Sequence, residues 1–236
     1  MTVPVDVEDP SAAIFASRRA DDRWFCWEQP DRDGFALAGL GEAACVVSRG
    51  PDRFAEVART AAETMRDRIA SEPDELPAGA GPVWVGGFAF DEEGASAAHW
   101  SSFEPALAFV PELSIHRRGA VTLATVAVLT DHAGSGDALA RVRSRLASLR
   151  REPLPLVDPH PTARATIASV QPPERYEAAV EAAVARIRAG DLEKTVLARE
   201  VTVDAPSAHD PAAVFGGLRS VFPSCFCFCV GTPEGA

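Results

Sequence analysis

Lysine is almost missing from this chain: of its 23 basic residues 22 are arginine, and Lys194 is the single exception. Long apolar runs are missing as well. No stretch of about 18 uninterrupted hydrophobic residues occurs, and "MTVPVDVEDP" at the N-terminus has no basic segment followed by an apolar one, so neither a membrane span nor a secretory signal is indicated. Positive charge is scarce beside negative. With 34 acidic residues and a net charge of -11, the chain lacks the basic footprint that nucleic acid requires, and an anionic small molecule could bind only at a locally positive site. The five cysteines, Cys26, Cys45, Cys225, Cys227 and Cys229, are odd in number and unevenly spaced, which suits reduced thiols better than a disulfide framework. These absences lead to the expectation of a cytoplasmic protein without membrane or nucleic-acid partners.

Motif absences narrow the chemistry further. "VGGFAF" lacks G-x-G-x-x-G spacing and no Walker glycine-lysine pair occurs, so nucleotide binding has little support. His99, His116, His132, His160 and His209 are scattered, with no Ser/His/Asp pattern. Cys225, Cys227 and Cys229 would share one face of a strand, but structural zinc sites need four ligands and usually Cys-x2-4-Cys spacing, so small buried thiols are the better reading and no metal ligands are assigned.

What is present is enough for a core: 47% of the 236 residues are hydrophobic, sufficient for one large domain or two small ones. The first part reads as mixed α and β. "PDRFAEVARTAAETMRDRIA" places Phe54, Val57, Ala61, Met65 and Ile69 at helical spacing. "VWVGGFAF" suits a strand in which Gly86 and Gly87 allow a bulge or a close backbone approach, and "FVPELSIHRRGAVTLATVAVLT" suits two strands turning at Arg118 and Gly119. After Gly136 a helix is expected with Leu139, Val142, Leu146 and Leu149 inward, and Arg141, Arg143, Arg145, Arg150 and Arg151 mostly outward. Pro153, Pro155, Pro159 and Pro161 then mark a connection, and the organisational boundary is expected near residue 165, dividing the chain into 1–165 and 166–236.

Beyond it, Pro172 and Pro173 open a helix with Tyr176, Val180, Val184 and Ile187 on one stripe, and Gly190 stands where a left-handed terminal residue is wanted. From Leu192 to Val203 alternation predicts a strand with Leu192, Lys194, Val196 and Ala198 on one face, and Thr195, Leu197, Arg199 and Val201 on the other. Asp210 and Pro211 start a short helix ending before Pro223, and "CFCFCV" follows as a strand with Phe226, Phe228 and Val230 opposite the cysteines. No later segment is seen to pair with that strand, and a chain truncated within its fold is expected.

Lys194 invites two readings. A lysine, unlike an arginine, gives up its proton when desolvated, so it is a candidate base. A lysine at a strand end can also lay its stem on apolar surface and keep its ammonium in water, and periodicity alone favours that role.

The stretch "IRAGDLEKTVLARE", Ile187 to Glu200, preceded by a helix with Y-x3-V, resembles the chorismate-utilising enzymes and specifically the isochorismate synthases. "GGFAFDEE" (86–93), "PELSIHRRG" (111–119) and "CFCFCVGTPEG" (225–235) resemble further parts of that family, and the likeness is strongest over about 175–231. The resemblance implies an α+β fold of two packed antiparallel sheets with outer helices, incomplete in this chain. It also implies chorismate as the small-molecule substrate, Mg2+ as cofactor, and Lys194 as the catalytic base for a water that attacks C2 while the C4 hydroxyl leaves. For that, the Lys194 pKa would have to fall from about 10.4 toward roughly 7–8. Arg199, on the opposite face, is not given that role, and the substrate-binding residues are unknown. The general acid and Mg2+ ligands are expected beyond Ala236, and Glu234 is not read as one of them. A fragment lacking them is expected to be inactive alone. Isochorismate could feed menaquinone or siderophore synthesis. A salicylate synthase of the same family and a non-catalytic chorismate-binding or interaction remnant remain as alternatives.

Overall fold

A computed structural model describes residues 1–66, 68–94, 97, 100–130, 135–157 and 164–233. His99, His132, His160, Pro159, Pro161 and Glu234 lie outside the described residues. The chain divides into two compact units, one formed by Met1–Val157 with Pro211–Ala236 and the other by Asp158–Asp210.

The first unit is built on a six-stranded antiparallel sheet. Its strands are β1 (Thr2–Pro4), β2 (Trp24–Gln29), β3 (Phe35–Leu40), β7 (Leu113–Arg118), β8 (Val121–Val126) and β11 (Cys227–Gly231), in the order β1-β8-β7-β3-β2-β11. A three-stranded sheet comprises β4 (Ala44–Ser48), β5 (Val85–Phe88) and β6 (Ala106–Val110), with β6 in the middle. Phe25 and Leu37 of the larger sheet cluster with Phe109 of the smaller, joined by Cys45, Val85 and Val230, so the two sheets pack face to face. On the outer face of the larger sheet, α1 (Pro10–Ser17), α3 (Ser135–Ala147) and α5 (Pro211–Val221) bury Ile14, Phe15, Val142 and Phe215 against Trp24, Leu40, Leu113 and Ile115. On the outer face of the smaller sheet, α2 (Arg53–Arg66) places Val57 against Val46, Ala106 and Ala108. Two packed antiparallel sheets with helices outside are thus the observed α+β architecture.

Local chemistry accounts for several elements. Asp9 caps α1 by accepting a 2.9 Å hydrogen bond from the Ala12 amide, with Pro10 in the first turn, where a missing N–H costs nothing. A Cβ at Gly86 would overlap the Leu107 carbonyl of β6, so the sheet's close approach there needs glycine, whereas Gly87 has open space. The β7–β8 turn falls at Gly119, with φ +57°.

The packing also corrects the sequence reading. α2 ends at Arg66, leaving Ile69 exposed beyond it, and Phe54 faces outward while Arg53 is buried, its guanidinium donating to the carbonyls of Gly50, Ala89 and Phe90. On α3, Leu139 is exposed and Arg145 turns inward to meet Asp22 at 2.6 Å. β11 is not without a partner: it pairs antiparallel with β2, Cys229 opposite Cys26 and Phe228 opposite Trp27.

A second, partly buried ion cluster joins α5 to α1 and β2. Arg219 donates to Glu28 Oε1 at 2.8 Å and to both carboxylate oxygens of Asp9, and Glu28 is only 2% exposed. Burial alone would raise the Asp9 carboxyl, but the hydrogen bonds from Arg219 and the Ala12 amide, with the nearby arginine charges, hold it below its ordinary value. Burial opposes the charge of Arg219, and its two carboxylate partners more than offset this, raising its pKa above the usual arginine value.

Candidate active site

The second unit carries the lysine. It consists of β9 (Thr166–Ser169), α4 (Pro173–Arg188) and β10 (Val201–Asp204), and β9 and β10 pair antiparallel with Val201 opposite Ser169. The helix and the Lys194 segment form the excursion between these two strands.

The start and stop of α4 follow from its own residues. Pro172 sits at the N-cap in an extended conformation and Pro173 takes the first helical position. Glu174 in the first turn and Arg186 and Arg188 in the last complement the helix dipole. At the other end Gly190, with φ +82°, donates its amide to the Ile187 carbonyl at 3.1 Å, and Asp191 donates to the Arg186 carbonyl at 3.0 Å. These two bonds form a Schellman motif, which satisfies the terminal carbonyls and turns the chain away from the helix axis. The Asp191 carboxylate also lies 3.8 Å from the Arg186 guanidinium. The glycine-acid pair is therefore a helix stop, and Lys194 follows it by three residues.

From Leu192 to Glu200 the chain is irregular, and the expected strand is reduced to Val201–Asp204. Alternation alone does not make a strand without a neighbour to supply the ladder, and β9 offers only four residues of pairing. Leu192 and Leu197 are half-buried, whereas Lys194, Thr195, Val196, Ala198 and Arg199 are exposed. The two-faced arrangement expected of this stretch is thus absent. Lys194 makes no ion pair among the described residues. The α4 stripe of Tyr176, Val180, Val184 and Ile187 forms as read, but each of the four is 36–40% exposed and no residue of the helix is buried.

Among the described residues no alternative catalytic constellation emerges. His116 is buried in β7 beside Phe35, where burial and then Arg118 lower its pKa, and the exposed His209 has a ring nitrogen 3.4 Å from the Val203 carbonyl. Neither faces a nucleophile and an acid together. Among the described residues no three His, Cys, Asp or Glu side chains gather where they could hold a metal ion, so these residues do not fit a Mg2+ site. No described helix is long and apolar enough to cross a membrane. Sequence reading missed the Asp9–Glu28–Arg219 cluster, although its cap was signalled by Asp9-Pro10, the same pair that marks α5 at Asp210-Pro211.

The comparisons with known proteins bear on this geometry. The family model described as chorismate binding enzyme matches residues 1–236. The chain belongs to the chorismate-binding enzyme family. Among curated proteins, the salicylate biosynthesis isochorismate synthase of Pseudomonas aeruginosa is 32% identical over 178 residues, covering 73% of this chain and 35% of that protein. Among solved structures, MenF, the menaquinone-specific isochorismate synthase of Escherichia coli, superposes with a TM-score of 0.63 at 19% identity, covering 97% of this chain and 46% of that one. At that identity the superposition establishes the shared fold. The chain spans about a third of the curated relative and just under half of the solved structure.

Proposed function

We propose that this chain carries the water-activating part of an isochorismate synthase, with Lys194 as the base. The observation that carries the reading is the 32% identity over 178 residues with the Pseudomonas aeruginosa isochorismate synthase. The single lysine of the chain, placed just past a Schellman stop, supports it. In this reading the Lys194 amine takes a proton from a water that attacks C2 of chorismate, the ring double bond shifts, and the C4 hydroxyl leaves as water with a proton from a general acid not assigned among these residues, giving isochorismate. Mg2+ would hold the substrate's carboxylates and neutralise their charge when bound, and no step here is assigned to it because the described residues do not form its site. The setting is cytoplasmic, and the product serves menaquinone or siderophore synthesis.

A general base is effective only when it is desolvated and positioned, and Lys194 is exposed in the 236-residue chain. Negligible turnover by this chain alone is the corresponding expectation. The test is a chimaera in which this chain replaces the matching segment of the Pseudomonas aeruginosa relative, assayed with chorismate and Mg2+ by chromatography. Isochorismate should form, and Lys194→Ala should lower kcat by about 100-fold or more. Undiminished activity in that variant removes the base assignment. Salicylate and pyruvate as products of the chimaera would transfer the reading to a salicylate synthase.

A further inference from the structure

The alternating cysteines have no part in that chemistry, and the fold gives them a specific arrangement. All five cysteines are free thiols. Three of them, Cys26 on β2 with Cys227 and Cys229 on β11, lie on the sheet face covered by α1 and α5 and join one apolar cluster. Cys229 stands directly opposite Cys26, whereas Cys227 stands opposite Glu28. Directly opposed residues of an antiparallel pair have Cα atoms about 4.5 or 5.5 Å apart depending on the ladder position, and both values fall within the span of about 4.4–6.8 Å that a disulfide bridges. A diagonal neighbour such as Cys227 is about 7–8 Å from Cys26, beyond that span. Cys45 belongs to β4 of the smaller sheet, and Cys225 is exposed ahead of β11.

We propose that Cys26 and Cys229 are a redox-responsive pair, converted by low-molecular-weight disulfides into a cross-strand bond that clips β11 to β2. The Cys229 thiolate attacks one sulfur of glutathione disulfide and expels one glutathione thiolate. Cys26, as thiolate, then attacks the Cys229 sulfur of the mixed disulfide and expels the second. Two protein thiols are oxidised to one disulfide, one glutathione disulfide is reduced to two glutathione thiols, and the two protons pass to those products. The order of attack follows from access, because Cys229 is half-buried and Cys26 is fully buried. Burial raises the Cys229 thiol and the Arg18 charge partly opposes it, while burial pushes the Cys26 thiol well up, so the exchange should quicken in alkaline buffer. β11 is an edge strand whose only ladder partner among the described strands is β2, so the bond changes how firmly the strand is attached.

The test uses the full chain, incubated with glutathione disulfide at about pH 8.5, alkylated and digested with trypsin. The expected result is the 24–32 peptide linked to the 220–236 peptide, with fragmentation placing the bond at Cys229. Dithiothreitol should release it, and the oxidised chain should unfold at a midpoint about 5 °C or more above the reduced chain. Cys229→Ser should abolish the linkage, while Cys225→Ser and Cys227→Ser should retain it. Two results overturn the pairing: a Cys26 linkage to Cys227 or Cys225, or a free Cys26 after Cys225 has been fully converted to its glutathione adduct. Both are read on the unmutated chain and do not depend on any variant folding.

Discussion

The two compact units differ most in what they bury. Residues 1–157 with 211–236 bury aromatic and aliphatic side chains on both faces of a six-stranded sheet and tie the helices down with buried ion pairs. The unit of 158–210 carries the lysine and the clearest family-like stretch, yet its helix buries nothing. Burial therefore points to the scaffold, and the candidate for chemistry lies where burial is lowest. Burial alone would not have drawn attention to Lys194, the proposed base.

Substitutions sharpen this contrast. The largest effect is expected in the first unit: Phe215→Ala, at a side chain 1% exposed, should cost about 3–5 kcal/mol in urea unfolding followed by tryptophan fluorescence. Glu28→Gln should cost about 2–3 kcal/mol by the same measurement, because it leaves the partly buried Arg219 charge with Asp9 alone. Acid should act through the same cluster. Since the folded-state pKa of Asp9 lies below its value of 3.8 in the unfolded chain, its contribution is complete above that value and is lost as pH falls through the folded one. Urea midpoints from about pH 6 to about pH 2.5 should therefore fall more steeply for the unmodified chain than for Asp9→Asn. If the two curves are parallel, Asp9 is not part of the acid response.

Effects in the second unit should be small. Val180→Ala, at a side chain 37% exposed, should cost under about 1 kcal/mol, and hydrogen exchange of α4 amides should be faster than that of β3 or β7. Lys194→Ala should change stability by less than about 0.5 kcal/mol, so that its effect in the chimaera reports on catalysis. A core-like loss at Val180 would erase the contrast between the units.

Much of the fold was legible where short-range chemistry decides. The bounds of α4 follow from Pro172, Pro173 and Gly190, the β7–β8 turn from Gly119, and α5 from Asp210-Pro211 and Pro223. β3 was not legible as a strand because "FALAGL" is buried on nearly every residue and shows no alternation. The inward turn of Arg145 was hidden for a different reason: its partner Asp22 is 123 residues away, and nothing local distinguishes it from the exposed arginines nearby. At the candidate site, Lys194 was singled out by rarity and resemblance. Its surroundings were misread because alternation over 192–203 cannot report whether a neighbouring strand extends far enough to pair.

The pairing of β2 with β11 has a kinetic consequence. Gln29 at the end of β2 donates to the carbonyl of Ser224, 195 residues later in the chain. During synthesis β2 can meet β3 within seconds, but its other edge must wait until the segment 195 residues further on has emerged. Until then Cys26 and Trp27 line an open edge, and a ribosome-bound chain would show β3 and β7 protected well before β2.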